Sequence, residues 1–240
     1  MSLSYSDHRQ NYVDIESASY RTDKRKFVSD LFECGAIAVS NMVDLSQRKM
    51  REERYLQIIR NYKHPEQSML AKIFAKVYAL LASVVYDNGK FNDNLGELFM
   101  CCNLGNKNTG QFFTPYHISE FMARATLDES LVKEKAEKDD ILTISDPCCG
   151  GGGLLIAALD VLKSLGVNYA RNCFIDCGDI DIRCIHMTYL QLSLADLFVS
   201  KVTIGHMLIS TLQTLLQDFN FSFHHHIYLL NKLLPFFYPS

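Results

Sequence analysis

The stretch ISDPCCGGGGLLIAALDVLKSLG, residues 144–166, constrains this chain more than any other. A short apolar run rich in β-branched residues, ILTIS, ends at Asp146-Pro147, and four consecutive glycines, Gly150 to Gly153, follow. Apolar residues then recur at helical spacing as far as Gly166. The pattern predicts a strand, a glycine turn and a helix over Gly152 to Leu165, with Gly166 as its stop. Glycines let a chain reverse tightly and let another group approach the backbone. The helix that follows offers unpaired N–H groups and the positive end of its dipole. In an open α/β sheet, ligands sit outside the C-terminal ends of the strands, and Asp146 holds that position. No Gly-Lys-Ser/Thr follows the glycines, which excludes the triphosphate-binding loop.

The alternation continues downstream. NCFIDCGDI reads as a second strand and DIRCIHMTYLQLSLADL as a second helix with Asp181 as its N-cap. VSKVTIG reads as a third strand and MLISTLQTLLQDF as a third helix. Strands alternating with helices imply a parallel, doubly wound α/β sheet. Asp179, at the end of the second strand, stands where an acidic side chain accepts both hydroxyls of a ribose.

Upstream the texture is helical. FVSDLFECGAIAVSNMV, MREERYLQIIRNY and PEQSMLAKIFAKVYALLASVVYDNG each carry helical spacing. Asn103 to Gly110 is rich in Asn and Gly and reads as a loop. Thr114-Pro115 then opens a helix, with Thr114 as cap and Ile118, Phe121, Met122 and Ala125 as its apolar face. DESLVKEKAEKDD reads as an exposed connector or short helix. This divides the chain into a helical domain, residues 1–105, and a sheet domain, residues 106–240.

Hydrophobic residues make up 48% of the 240 and charged ones 21%, as in ordinary globular proteins. A net charge of −3 does not advertise nucleic-acid binding. The basic runs at residues 21–26 and 48–63 are interleaved with acids and read as solvated helix faces. Eight scattered cysteines, two pairs of them adjacent, suit neither ordinary disulfides nor zinc knuckles. With a polar N-terminus and no apolar run of membrane length, they suggest reduced thiols and a cytoplasmic protein, with no membrane partner. The tail NFSFHHHIYLLNKLLPFFYPS breaks the strand–helix rhythm. Its three adjacent histidines cannot all face one metal from a helix or strand, so no metal site is expected.

DPCCGGGG resembles Asp-Pro-Ala-Cys-Gly-Ser-Gly-Gly, the cofactor motif of adenine-N6 DNA methyltransferases of the type I restriction-modification methylation-subunit (M subunit) kind. TGQFFTP resembles the second cofactor motif of that family and stands, as there, upstream of the glycine turn. DNLGELF, residues 93–99, resembles the segment that precedes it in the family. The resemblance runs from about Lys26 to Ile204. It implies an N-terminal helical domain followed by a partial Rossmann-like methyltransferase sheet, with S-adenosylmethionine as cofactor. By the same resemblance, Gly150, Gly151 and Gly152, with Gly153, would pass beneath the methionine part, and Asp146 would lie near its ammonium group. Gln111, Phe112, Phe113, Thr114 and Pro115 would close over the cofactor, Thr114 giving a hydroxyl and Phe112 or Phe113 an apolar wall. Asp179 would take the ribose hydroxyls. Cys148 and Cys149 read as small thiols packed beside the turn.

Two parts of the family pattern are missing. His206 stands where an acidic residue is expected to meet the adenine. The catalytic motif Asn/Asp-Pro-Pro-Phe/Tyr is absent: Pro65, Pro115, Pro147, Pro235 and Pro239 are the five prolines, and none are adjacent. That motif accepts both protons of the adenine amine, whose lone pair is delocalised, and stacks an aromatic ring on the flipped base. Asn231 is too far from Pro235 to copy it. No catalytic residue is therefore assigned. The expectation is a truncated methylation subunit that binds S-adenosylmethionine but does not methylate alone, reaching DNA through a complex with specificity and restriction subunits. The alternatives are a non-catalytic assembly or decoy protein that binds restriction-modification subunits or DNA, and a methyltransferase acting on RNA, protein or a small molecule.

Overall fold

A computed structural model describes residues 23–63, 67, 68, 70, 72, 73, 75, 91–105, 112–195, 201–204 and 207–210. They fall into two compact units, one within residues 23–75 and the other within residues 91–210. The division lies upstream of Phe91 rather than at 105/106, the boundary expected from composition. The physical reason is a helix at residues 94–101 that is bonded into the sheet-bearing unit.

The first described element of the first unit is α1 (Lys24–Val43), capped by Asp23, whose side chain accepts from the Arg25 N–H. α2 (Arg48–Arg60) follows after a short turn. Phe27, Val28, Leu31 and Phe32 of α1 are fully buried, as is Ile58 of α2. Each such side chain contributes about 1.5–3 kcal/mol. Arg51 pairs with Asp44, and Arg54 grips Glu33 through two hydrogen bonds of 2.6 and 3.0 Å. These basic residues are thus matched by acids of their own unit. The described residues between 67 and 75 are helical, with Leu70 and Ile73 buried; the rest of the expected third helix lies outside the described residues.

The second unit holds the sheet. Its elements are α3 (Asn94–Cys101), α4 (Tyr116–Thr126), α5 (Glu129–Glu137), β1 (Leu142–Asp146), α6 (Gly153–Ser164), α7 (Tyr169–Asn172), β2 (Cys173–Asp179), α8 (Ile182–Leu194), β3 (Lys201–Ile204) and β4 (Met207–Ser210). The strand order is β1-β2-β3-β4. β1, β2 and β3 run parallel, with Leu142 opposite Cys173 and Asp176 opposite Lys201. β4 is antiparallel to β3, with Ile204 opposite Met207. Met207 to Ser210 therefore continues the sheet instead of opening a third helix. Three apolar residues and a serine are too few to carry a helical period, and cross-strand pairing settles what local sequence leaves ambiguous. Residues beyond Ser210, including the histidine-bearing tail, lie outside the described residues.

The core of this unit is made by Leu155, Ile156, Leu159 and Leu162 of α6 with Ile175 and Cys177 of β2 and Ile185 and Leu192 of α8. α6 starts at Gly153 and stops before Gly166, whose φ of 77° ends it as expected. Charge patterning also resolves the connector at 128–140: Asp128 caps α5 by accepting from Ser130 and Leu131 N–H.

α4 departs from its expected orientation. Ser119 and Ala123 are buried, while Ile118, Phe121 and Met122 are 41%, 71% and 41% exposed. Ala125 is exposed as well. The inward face meets Ala157, Ala158 and Val161 of α6, an approach close enough to admit small side chains. The helix begins at Tyr116, and Pro115 occupies the N-cap with extended backbone, φ −55° and ψ 139°, and no side-chain cap. Thr114 is thus one residue too early to cap it. Among the described residues, no helix is long and apolar enough to cross a membrane.

Candidate functional site

The glycine turn is clasped from three sides. From the sheet, the Gly150 N–H donates to Asp179 Oδ2 at 2.9 Å, and the Cys149 N–H donates to the Gly178 carbonyl at 2.9 Å. The other oxygen of Asp179, Oδ1, accepts from the Asp181 N–H at 2.8 Å. Asp181 in turn caps α8 by accepting from the Arg183 N–H. The acid at the end of β2 thereby ties together the turn after β1 and the start of α8.

From α8, Thr188 and Gln191 reach the turn one helical step apart. Thr188 Oγ1 donates to the Gly150 carbonyl at 2.9 Å, and Gln191 Nε2 to the Gly151 carbonyl at 2.7 Å. Gln191 Nε2 also donates to Asp93 Oδ1 at 2.8 Å, and its Oε1 accepts from the Leu95 N–H at 2.9 Å. Asp93 caps α3 through the Gly96 N–H at 2.9 Å. Desolvation by burial pushes the Asp93 carboxyl above its ordinary range, although the bonds from Gln191 and Gly96 oppose the shift.

This clasp explains the glycines. At Gly153 a Cβ would stand 2.8 Å from Asp93 Oδ2, and at Gly152 it would stand 3.0 Å from Thr188 Oγ1. Gly152 also has φ +90°, a conformation that L-residues rarely adopt. Much of the demand for glycine is thus internal: the turn is squeezed between α3 and α8.

A cavity of about 200 Å³ lies on the turn. Its walls include Phe113, Thr114, Asp146, Cys149, Gly150 and Gly151. Asp93, Ser119, Met122, Cys148, Gly153 and Leu154 complete it. Asp146 Oδ1 accepts from the Cys148 N–H at 3.0 Å, which shapes the bend after β1. Phe113 stacks on Phe99, with ring centroids 5.1 Å apart and planes inclined by 23°. The Arg183 guanidinium sits 4.9 Å from the centroid of the same Phe99 ring. Phe112 is 72% exposed, so Phe113 alone of the pair forms a wall.

Of the residues singled out in the sequence, Phe113, Thr114, Asp146, Gly150 and Gly151 come together around one cavity. Gly152 adjoins it as the N-cap of α6, and Pro115 serves as the N-cap of α4. Asp179 meets Gly150 rather than open space. Gln111 and His206 lie outside the described residues. Asp93, Ser119, Thr188 and Gln191 were not singled out. The signals available for them were the place of Asp93 at the head of DNLGELF and the three-residue spacing that puts Thr188 and Gln191 on one face of a helix.

All eight cysteines are free thiols. A hydrogen bond with Cys149 and burial push the Cys177 thiol up, so it stays protonated beside the turn. Cys149 is buried and Cys148 exposed. Among the described residues, no group of three or more His, Cys, Asp or Glu could hold a metal ion.

The arrangement offers a concave site at the C-terminal end of β1, a glycine turn with fixed carbonyls, two carboxylates and an aromatic wall. The sequence model of the family described as N-6 DNA Methylase matches residues 96–222, just over half of the chain. That match spans α3 from Gly96 onward, the Phe113–Pro115 segment, the glycine turn and all four strands. The chain belongs to the N-6 DNA methylase family.

Proposed function

We propose that the chain is an adenine-N6-specific DNA methyltransferase subunit, similar to the methylation subunits of type I restriction-modification systems, and that it binds S-adenosylmethionine on the glycine turn. The observation that carries this is the cavity at the end of β1, where Phe113, Thr114 and Asp146 meet Gly150 and Gly151. The residues suit the cofactor chemically. Asp146 and Asp93 favour a cationic group, Phe113 and Leu154 an apolar stem, and Thr114 supplies a hydroxyl. Ile180, 95% exposed directly after Asp179, adds an apolar surface at the end of β2. The cofactor, when bound, supplies an electrophilic methyl group.

Asp179 would hold the nucleoside end differently from a free carboxylate. Each of its oxygens already accepts one backbone N–H, leaving a second lone pair on each for a ribose hydroxyl. Its first duty is to fix the turn on which the cofactor rests. This division of labour fits a Rossmann-like site, in which strand ends supply both shape and contacts.

Transfer to adenine needs a group that accepts the two amine protons and a ring that stacks on the flipped base. None of the five prolines has a proline neighbour, so these 240 residues carry no Asn-Pro-Pro-aromatic motif. On this reading these residues hold the methyl donor, the base-clamping group comes from elsewhere, and the subunit acts on DNA in a complex with specificity and restriction subunits. The same absence favours a second reading, a non-catalytic protein that binds such subunits or DNA.

Isothermal titration with S-adenosylmethionine tests the cofactor assignment. Heat of binding and a rise in Tm are expected. No heat and no thermal shift at cofactor concentrations on the order of millimolar would sink it, because millimolar dissociation already corresponds to only about 4 kcal/mol. Tritium transfer from labelled cofactor to DNA, measured with and without a specificity and a longer methylation chain, separates the two readings. Transfer only in the complex supports the subunit; no transfer in either case supports the non-catalytic protein.

A further inference from the structure

We propose that Ser119 and Asp93 form a subsite for a primary ammonium group, the amino-acid end of S-adenosylmethionine; the inference rests on the cofactor reading above. Ser119 is 1% exposed, its hydroxyl has no hydrogen-bond partner among the described residues, and the residue lines the cavity. Helical hydroxyls usually escape this state by bonding a carbonyl of the preceding turn. Thr126 of the same helix does so, donating to the Met122 carbonyl at 2.8 Å. Ser119 does not, and a buried hydroxyl left unpaired points to a missing partner.

Asp93 faces the same space. It is 4% exposed and also lines the cavity. Both hydrogen bonds that it accepts, from Gly96 N and Gln191 Nε2, fall on Oδ1. Oδ2 stands beside Gly151 and Gly153, two other cavity residues, and accepts none among the described residues. A buried carboxylate is stabilised by a cation with N–H groups to donate.

The two vacant acceptors define the ligand group. A primary ammonium has three N–H donors and one positive charge. It would donate to Asp93 Oδ2 and to Ser119 Oγ, with the Phe113 ring nearby. An anion without a cationic partner is disfavoured by Asp93 and Asp146 together, so the cofactor's own carboxylate, on the carbon that bears the ammonium, would lie outside the subsite and away from both. The volume agrees: about 200 Å³ is smaller than the 300–1,000 Å³ of pockets that enclose whole drug-sized ligands, and suits one end of such a molecule. Asp146, assigned to the ammonium from the sequence, uses Oδ1 on the Cys148 N–H and adds its negative charge to the same cavity.

The test titrates the full chain with S-adenosylmethionine and with its 2-oxo analogue, in which a carbonyl replaces the ammonium-bearing carbon's amine. Wild-type protein should prefer the cofactor to the analogue by about tenfold or more, the worth of one hydrogen bond to a charged group. Ser119→Ala should lose about tenfold in affinity for the cofactor and little for the analogue, while its ligand-free Tm stays level or rises. A Ser119→Ala variant that binds the cofactor like wild type, or that loses both ligands equally, overturns the subsite. So does a wild-type protein that binds both ligands equally well. If wild type binds neither, the cofactor reading itself fails and takes the subsite with it. Should Ser119→Ala fold poorly, Ser119→Cys provides the same comparison with a weaker polar group of similar size.

Discussion

The backbone N–H of Gly150 and the carboxylate of Asp179 meet at 2.9 Å, joining the turn after β1 to the last residue of β2. Because the second oxygen of Asp179 also holds the Asp181 N–H, two loops depend on one side chain. Asp179→Ala should lower the stability of the sheet-bearing unit by roughly 1–3 kcal/mol. It should also weaken S-adenosylmethionine binding beyond what the loss of a ribose contact explains. Denaturant unfolding of the variant, run beside isothermal titration, checks both effects. Unchanged stability would show that the turn is held by its other bonds.

At Gly152 both the backbone conformation and the surrounding space resist a side chain. A residue with a Cβ must adopt φ near +90° there and meet Thr188 at 3.0 Å. The backbone strain alone is about 1–2 kcal/mol. Gly152→Ala should therefore destabilise by more than that, through crowding of Thr188 and loss of its bond to the Gly150 carbonyl. The midpoint of urea unfolding measures it.

Asp93 makes a pH-dependent prediction with a definite sign. Burial raises its carboxyl above the ordinary value of 3.8, so the folded protein holds this proton more tightly than the unfolded chain. The contribution of the neutral acid to stability is fully present below pH 3.8 and is lost as pH rises through the raised folded value. Asp93→Asn keeps an oxygen for Gly96 and Gln191 but carries no charge. The stability of wild type relative to Asp93→Asn should thus decline as pH rises through that window. Paired melting curves across the acid range follow it, and a difference that stays flat contradicts the burial argument.

Phe112 and Phe113 are neighbours with opposite environments. Phe113→Ala removes the stack on Phe99 and one wall of the cavity, and should cost roughly 1–3 kcal/mol. Phe112→Ala, at a side chain that is 72% exposed, should stay within about 0.5 kcal/mol of wild type. Thermal unfolding of the two variants compares them directly.

The elements that carry the turn were legible because their signals are local. ILTIS is a short β-branched run, NCFIDCGDI opens on the strand formers Phe174 and Ile175, Asp181 is a capping residue, and Gly166 is a helix stop; each does in the structure what its chemistry dictates. β4 was not legible because Met207, Leu208 and Ile209 with Ser210 are too few to show a period. The face of α4 was misread for a different reason. Hydropathy points to Ile118, Phe121 and Met122, but the neighbouring helix presents Ala157 and Ala158 and leaves room for Ser119 and Ala123. Packing distance outweighed hydropathy there. In the site, motif spacing located the turn and Phe113. The polar clasp stayed hidden because its members are remote in the chain: Asp93 and Gln191 are 98 residues apart.

That separation also sets an order of events during synthesis. A ribosome adding about 5–20 residues per second needs several seconds to travel from Asp93 to Gln191. Over that interval β1 and its glycines can form, but the Gly151 carbonyl and the Asp93 carboxylate lack the Gln191 side chain that joins them. The turn is thus among the last features of its unit to close. A nascent chain that stalls before α8 is complete would display an open, unpaired turn, the state in which a chaperone or a protease would meet it.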